Sequence, residues 1–82
     1  MGSNVWGKEM MTYIKDKRPS LQEAQAIVGG YVEIVIDNGD MQLLVNEEGL
    51  LKDLPLNQEA SLMAGRPLVG PALVLKGDAL WD

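Results

Sequence analysis

A chain of 82 residues makes one domain, burying roughly 60–65% of its unfolded surface and building a correspondingly thin core. It contains no cysteine and no histidine, which removes disulfides, thiolate metal sites, the commonest zinc ligand and the commonest general base near neutral pH. The net charge of −5 is uneven: residues 8–18 hold four basic side chains against two acidic, a balance of +2 that leaves −7 for the remainder. That acidic body argues against nucleic-acid phosphates or an anionic membrane as partner.

Residues 1–9 (MGSNVWGKE) read as an N-terminal leader or flexible arm, with Met10 or Met11 as alternative starts, and lack the apolar stretch of a signal peptide. Residues 10–82 read as a single α+β domain. No apolar run approaches the roughly 20 residues of a spanning helix, so a cytoplasmic location is the default. Residues 10–15 (MMTYIK) suit a first strand, with a helical turn as the alternative. Lys15, Lys17 and Arg18 form a small basic cluster, read as a solvated connector rather than a nucleic-acid patch.

Ser20 opens a helix, and Glu23 three residues on completes a capping box. Leu21, Ala24, Ile27 and Val28 make its apolar stripe, and Gly29-Gly30 stops it. Residues 31–36 (YVEIVI) are a strand by composition. Asn38-Gly39 signals a two-residue type I′ hairpin. Centring the turn there pairs Ile36 with Met41, Ile34 with Leu43 and Val32 with Val45, and sends all six to the core. The opposite side then collects Tyr31, Glu33, Val35, Gln42, Leu44 and Asn46 and is half apolar.

Glu47-Glu48-Gly49 reads as a turn with Gly49 left-handed, returning into a short strand at Leu50-Leu51. Asn57 caps a second helix over Gln58–Ala64, with Ala60, Met63 and Ala64 inward and Gly65 as its stop. Residues 72–75 (ALVL) form the last strand, and Pro71 marks an edge or a bulge at its start. The chain is therefore α+β: a small antiparallel or mixed sheet of about four strands, two short helices, order β-α-β-β-(β)-α-β, covered on one face. The ferredoxin-like split βαβ arrangement is the nearest named topology.

Leu21-Gln22, Val28-Gly29-Gly30-Tyr31-Val32-Glu33, Val45-Asn46-Glu47-Glu48-Gly49 and Leu54-Pro55-Leu56-Asn57 follow one another in this order. Together they resemble a domain family of unknown function found in bacteriophages, plasmids and some bacterial genomes, over residues 21–75. Val69-Gly70 sits where that family carries an apolar-Gly pair before its last strand. Members of that family usually open with an extra strand and a Pro-Gly turn; this sequence departs from them at its start, which bears on the strand expected at residues 10–15. The resemblance implies a viral or mobile-element accessory protein and implies no activity.

Three functions compete. The half-apolar second face around Tyr31, Val35 and Leu44, with the thin core, points to a non-enzymatic binding or assembly module acting as a homo-oligomer, most simply a dimer. The charge imbalance and the viral resemblance point to an acidic inhibitor or decoy of a host protein. A carboxylate-based enzyme would use Glu47, Glu48 and Asp53, with no motif supplying a nucleophile or an oxyanion hole. Asn46, Glu47 and Glu48 are the sharpest polar cluster: two carboxylates and an amide that could meet a cation or a basic partner, or an Asn that fixes a turn between two solvated Glu. Asn46, Glu47, Glu48, Tyr31, Val35 and Leu44 are the candidate partner-binding residues, and neither a cofactor nor a metal is expected.

Overall fold

The computed structural model describes residues 10–82; the expected leader, residues 1–9, lies outside the described residues. Four strands and two helices alternate as β1 (Met11–Ile14), α1 (Leu21–Val28), β2 (Val32–Asp37), β3 (Met41–Asn46), α2 (Gln58–Ala64) and β4 (Ala72–Lys76), with a 3₁₀ turn at Gly77–Ala79. The α+β class and the order of elements are those the sequence predicts. In space the strands run β1-β4-β3-β2. β1 is parallel to β4, and the other neighbours are antiparallel. In a split βαβ unit another strand separates the parallel pair; here β1 and β4 lie side by side.

Local chemistry explains both helices. The Ser20 hydroxyl accepts from the Glu23 amide at 3.0 Å, and the Glu23 carboxylate accepts from the Ser20 amide at 2.8 Å. Gly29, at φ 86°, ends α1 in the left-handed region that glycine enters without a Cβ penalty. Asn57 caps α2 by accepting from the Ala60 amide at 3.0 Å, and Gly65 ends it.

The sheet is covered on both faces, not one. Successive side chains of a strand point to opposite sides. Leu44, Leu73 and Leu75 therefore pack under Ala24 and Val28 of α1, joined by Leu80 and Trp81. Leu43, Val45, Ala72 and Val74 pack under Ala60 of α2 with Leu68. Residues 72–75 are buried throughout because β4 is central, between β1 and β3. Pro71 thus precedes an interior strand rather than marking an edge, and its missing N–H falls just outside the ladder. Leu21, at the outer end of the helical stripe, is exposed.

The hairpin departs from the predicted register. Asn38 is not left-handed, so type I′ geometry is absent; the positive φ of the turn, 90°, belongs to Gly39. The Asn38 side chain accepts from the amides of Asp40 and Met41 at 3.0 Å each, and its own amide donates to Met41 O at 3.3 Å. These bonds move the two-residue loop along to Gly39-Asp40. Ile36 now faces Leu43, and a bulge between Ile34 and Ile36 resets the pairing to Ile34 with Leu44 and Val32 with Asn46. One extra residue flips everything beyond it. Ile36 and Val35 join the α2 side, Val32 joins the α1 side, and Ile34 is 43% exposed.

No return strand forms at Leu50-Leu51, and Gly49 is not left-handed. What Gly49 provides is closeness: a Cβ there would stand 2.8 Å from Val69 Cγ2 and 3.3 Å from Val69 O. An isolated bridge between Leu56 and Val69 takes the place of the expected short strand.

Candidate functional site

Residues 46–54 form a loop closed by its own hydrogen bonds. Asn46 is buried; its side-chain oxygen accepts from Glu48 N at 2.7 Å, and its amide nitrogen donates to Val28 O at 3.2 Å. It ties the turn to the carboxyl end of α1, as a turn-fixing Asn does. The next bonds are helix-like: Gly49 N to Asn46 O at 3.2 Å, Lys52 N to Glu48 O at 3.0 Å, and Leu54 N to Gly49 O at 3.1 Å. Lys52 stands 3.9 Å from the Glu48 carboxylate. Asp53 takes a left-handed φ of 56°. The loop holds up two adjacent leucines, Leu50 at 82% and Leu51 at 86% exposure, beside the carboxylates of Glu47, Glu48 and Asp53.

The six candidate residues separate. Asn46, Glu47 and Glu48 share this loop, and Tyr31 joins them because its carbonyl accepts from Glu47 N at 2.8 Å. Tyr31 itself is 65% exposed. Leu44 is fully buried on the α1 side, and Val35 sits at the bulge against the α2 side. The greasy second face that motivated their choice is closed by α1 and by the C-terminal segment. That segment is held by Gln42, whose side chain donates to Trp81 O and accepts from Trp81 N, both at 2.8 Å, as a neighbouring strand would. Trp81 Nε1 donates to Pro19 O at 3.0 Å, and Arg18 Nε to Leu80 O at 2.8 Å.

An open cleft of about 390 Å³ lies between the end of β1 and α1, lined by Ile14, Pro19, Ala26 and Ile27 with Lys17 and Arg18. Glu23 also lines it, its carboxylate engaged in the α1 cap. On the α2 side, the Tyr13 hydroxyl donates to the Glu59 carboxylate. That bond, then partial burial, then the charge of Glu59 hold the phenol above its ordinary value.

Sequence reasoning missed the loop leucines and the cleft. The signal for the first was an apolar pair isolated between Glu47-Glu48 and Lys52-Asp53. For the second it was a basic cluster bordering Ile14 and Pro19. Among the described residues no group of three or more Asp or Glu side chains is placed to hold a metal ion. Nor is any helix there long and apolar enough to cross a membrane.

A family model for a domain of unknown function, DUF3846, matches residues 7–80. The chain belongs to this family. The match takes in every strand and both helices of the DUF3846 fold described above. No curated protein and no solved structure matches the DUF3846 chain.

Proposed function

We propose that this DUF3846 protein is a non-enzymatic assembly module that works by associating with copies of itself, as an accessory protein of a virus or mobile element. The observation that carries the reading is the display of leucine to solvent: Leu50, Leu51 and Leu62, each more than four-fifths exposed. Solvent-facing leucine at this density on a small acidic chain marks an interaction surface. The lack of histidine and cysteine supports a binding role over chemistry. The resemblance to phage and plasmid proteins supports the biological setting.

Sedimentation velocity from micromolar to millimolar concentration tests the self-association. The expected result is a mass that rises with concentration above the 9.0 kDa of one chain. A single species of that mass across the whole range overturns the reading.

A further inference from the structure

The exposed leucine pair and the cleft are complementary in both shape class and charge. The loop offers two adjacent apolar side chains among Glu47, Glu48 and Asp53, with Lys52 as the one cation, paired to Glu48 at 3.9 Å. The cleft offers apolar walls from Ile14, Pro19, Ala26 and Ile27 with the cations Lys17 and Arg18 and one carboxylate, Glu23, which is engaged in the α1 cap. Arg18 is partly engaged, 3.3 Å from Asp82, whereas Lys17 has no ion-pair partner among the described residues.

Topology places the loop and the start of the cleft at opposite ends of the sheet. The cleft begins where β1 ends, at Ile14. β3 runs antiparallel to β4, and β4 runs parallel to β1. The loop after Asn46 therefore leaves the sheet at the end where β1 begins. The cleft also runs along α1 to Ala26 and Ile27, and Lys52 of the loop approaches the carboxyl end of that helix, 3.3 Å from a Cβ built on Gly30, yet the leucine pair stays more than four-fifths exposed and open to a cleft on another copy.

We propose that Leu50 and Leu51 of one copy seat in the β1–α1 cleft of the next, with Glu47 and Asp53 facing Lys17 and Arg18. The partner is a second copy of this chain, and the contact is heterologous, closing into a ring or continuing as a filament. This rests on the self-association reading above and names its two surfaces. The apolar pair supplies the contact energy, and the charges set its direction by opposing a loop-to-loop or cleft-to-cleft encounter.

Mixing two crippled proteins tests it. Leu50→Asp with Leu51→Asp spoils the loop and leaves the cleft intact. Lys17→Glu with Ala26→Glu spoils the cleft and leaves the loop intact. All four positions are exposed, so both proteins keep the fold. The expected result is that each is monomeric alone and that an equimolar mixture forms a one-to-one dimer that grows no further. A charge-only pair, Lys17→Glu and Glu47→Lys, tests the same contact without touching the apolar surface; each alone weakens association up to about fivefold, and mixing restores it. Wild-type association that survives in either double variant, or a mixture that stays monomeric, overturns this inference while leaving self-association standing. A monomeric wild type overturns both.

Discussion

On the α1 side of the sheet, Leu44, Leu73 and Leu75 are sealed by Ala24 and Val28 from above and by Leu80 and Trp81 from the C-terminal segment. Between Leu50 and Leu62 the same residue type is treated in the opposite way: Leu50, Leu51, Leu56 and Leu62 are all more than half exposed. The backbone is hydrogen-bonded in both regions. In the first, polar side chains (Gln42, Asn46) do the work of a missing strand or cap so that leucine can be buried. In the second, the backbone lies close at Gly49 against Val69 and at Gly70 against Leu54, while Leu50 and Leu51 on the loop and Leu62 on α2 face solvent. The leucines left outside are the ones available to a partner.

Three substitutions sharpen that contrast. Leu44→Ala empties part of a fully buried site and should lower the unfolding free energy by about 3 kcal/mol in urea titration; a loss like that of a surface site would mean that the α1 side is loosely packed. Gln42→Ala removes both bonds to the Trp81 backbone and should cost about 2 kcal/mol, with accelerated hydrogen exchange at the Trp81 amide; unchanged exchange would show that apolar packing alone holds the segment. Leu51→Ser, at the exposed loop, should change monomer stability by no more than about 0.5 kcal/mol.

The last test is a titration. The fold favours the neutral Tyr13 phenol, raised first by its bond to Glu59, then by burial, then by the Glu59 charge. Its small contribution is complete below the unfolded value near 10 and is lost as pH rises through the higher folded value. Glu59→Gln should therefore bring the Tyr13 midpoint down, read by phenolate absorbance in a Tyr31→Phe background. An unmoved midpoint would remove Glu59 as the cause.

What the sequence disclosed was whatever is decided within a few residues. The Ser20–Glu23 box, the Asn57 cap, the Gly29 and Gly65 stops and the turn-fixing role of Asn46 are all short-range bonds written in neighbouring letters. The β2 faces were illegible because Asn38 had two uses. As a left-handed turn residue it would have set one register; as a side-chain acceptor for Asp40 and Met41 it set another, and the bulge at Val35 then divided the strand between the two sides. The cover over Leu44 was illegible for a different reason. It depends on Gln42 meeting Trp81, a pairing between distant residues for which no local pattern exists. The candidate site suffered accordingly: its turn residues were visible, whereas the loop that replaces the expected return strand packs Gly49 against the distant Val69.

The position of β4 has a consequence for how the protein is made. It is the interior strand that bonds both β1 and β3, and it is the last strand in the chain. During synthesis β1 leaves the ribosome first and has no neighbour to pair with, while the β2–β3 ribbon can already close on itself. The hydrophobic centre is completed only when β4 inserts between β1 and β3, strands that precede it by about 60 and about 30 residues, so folding is slowed by long-range closure.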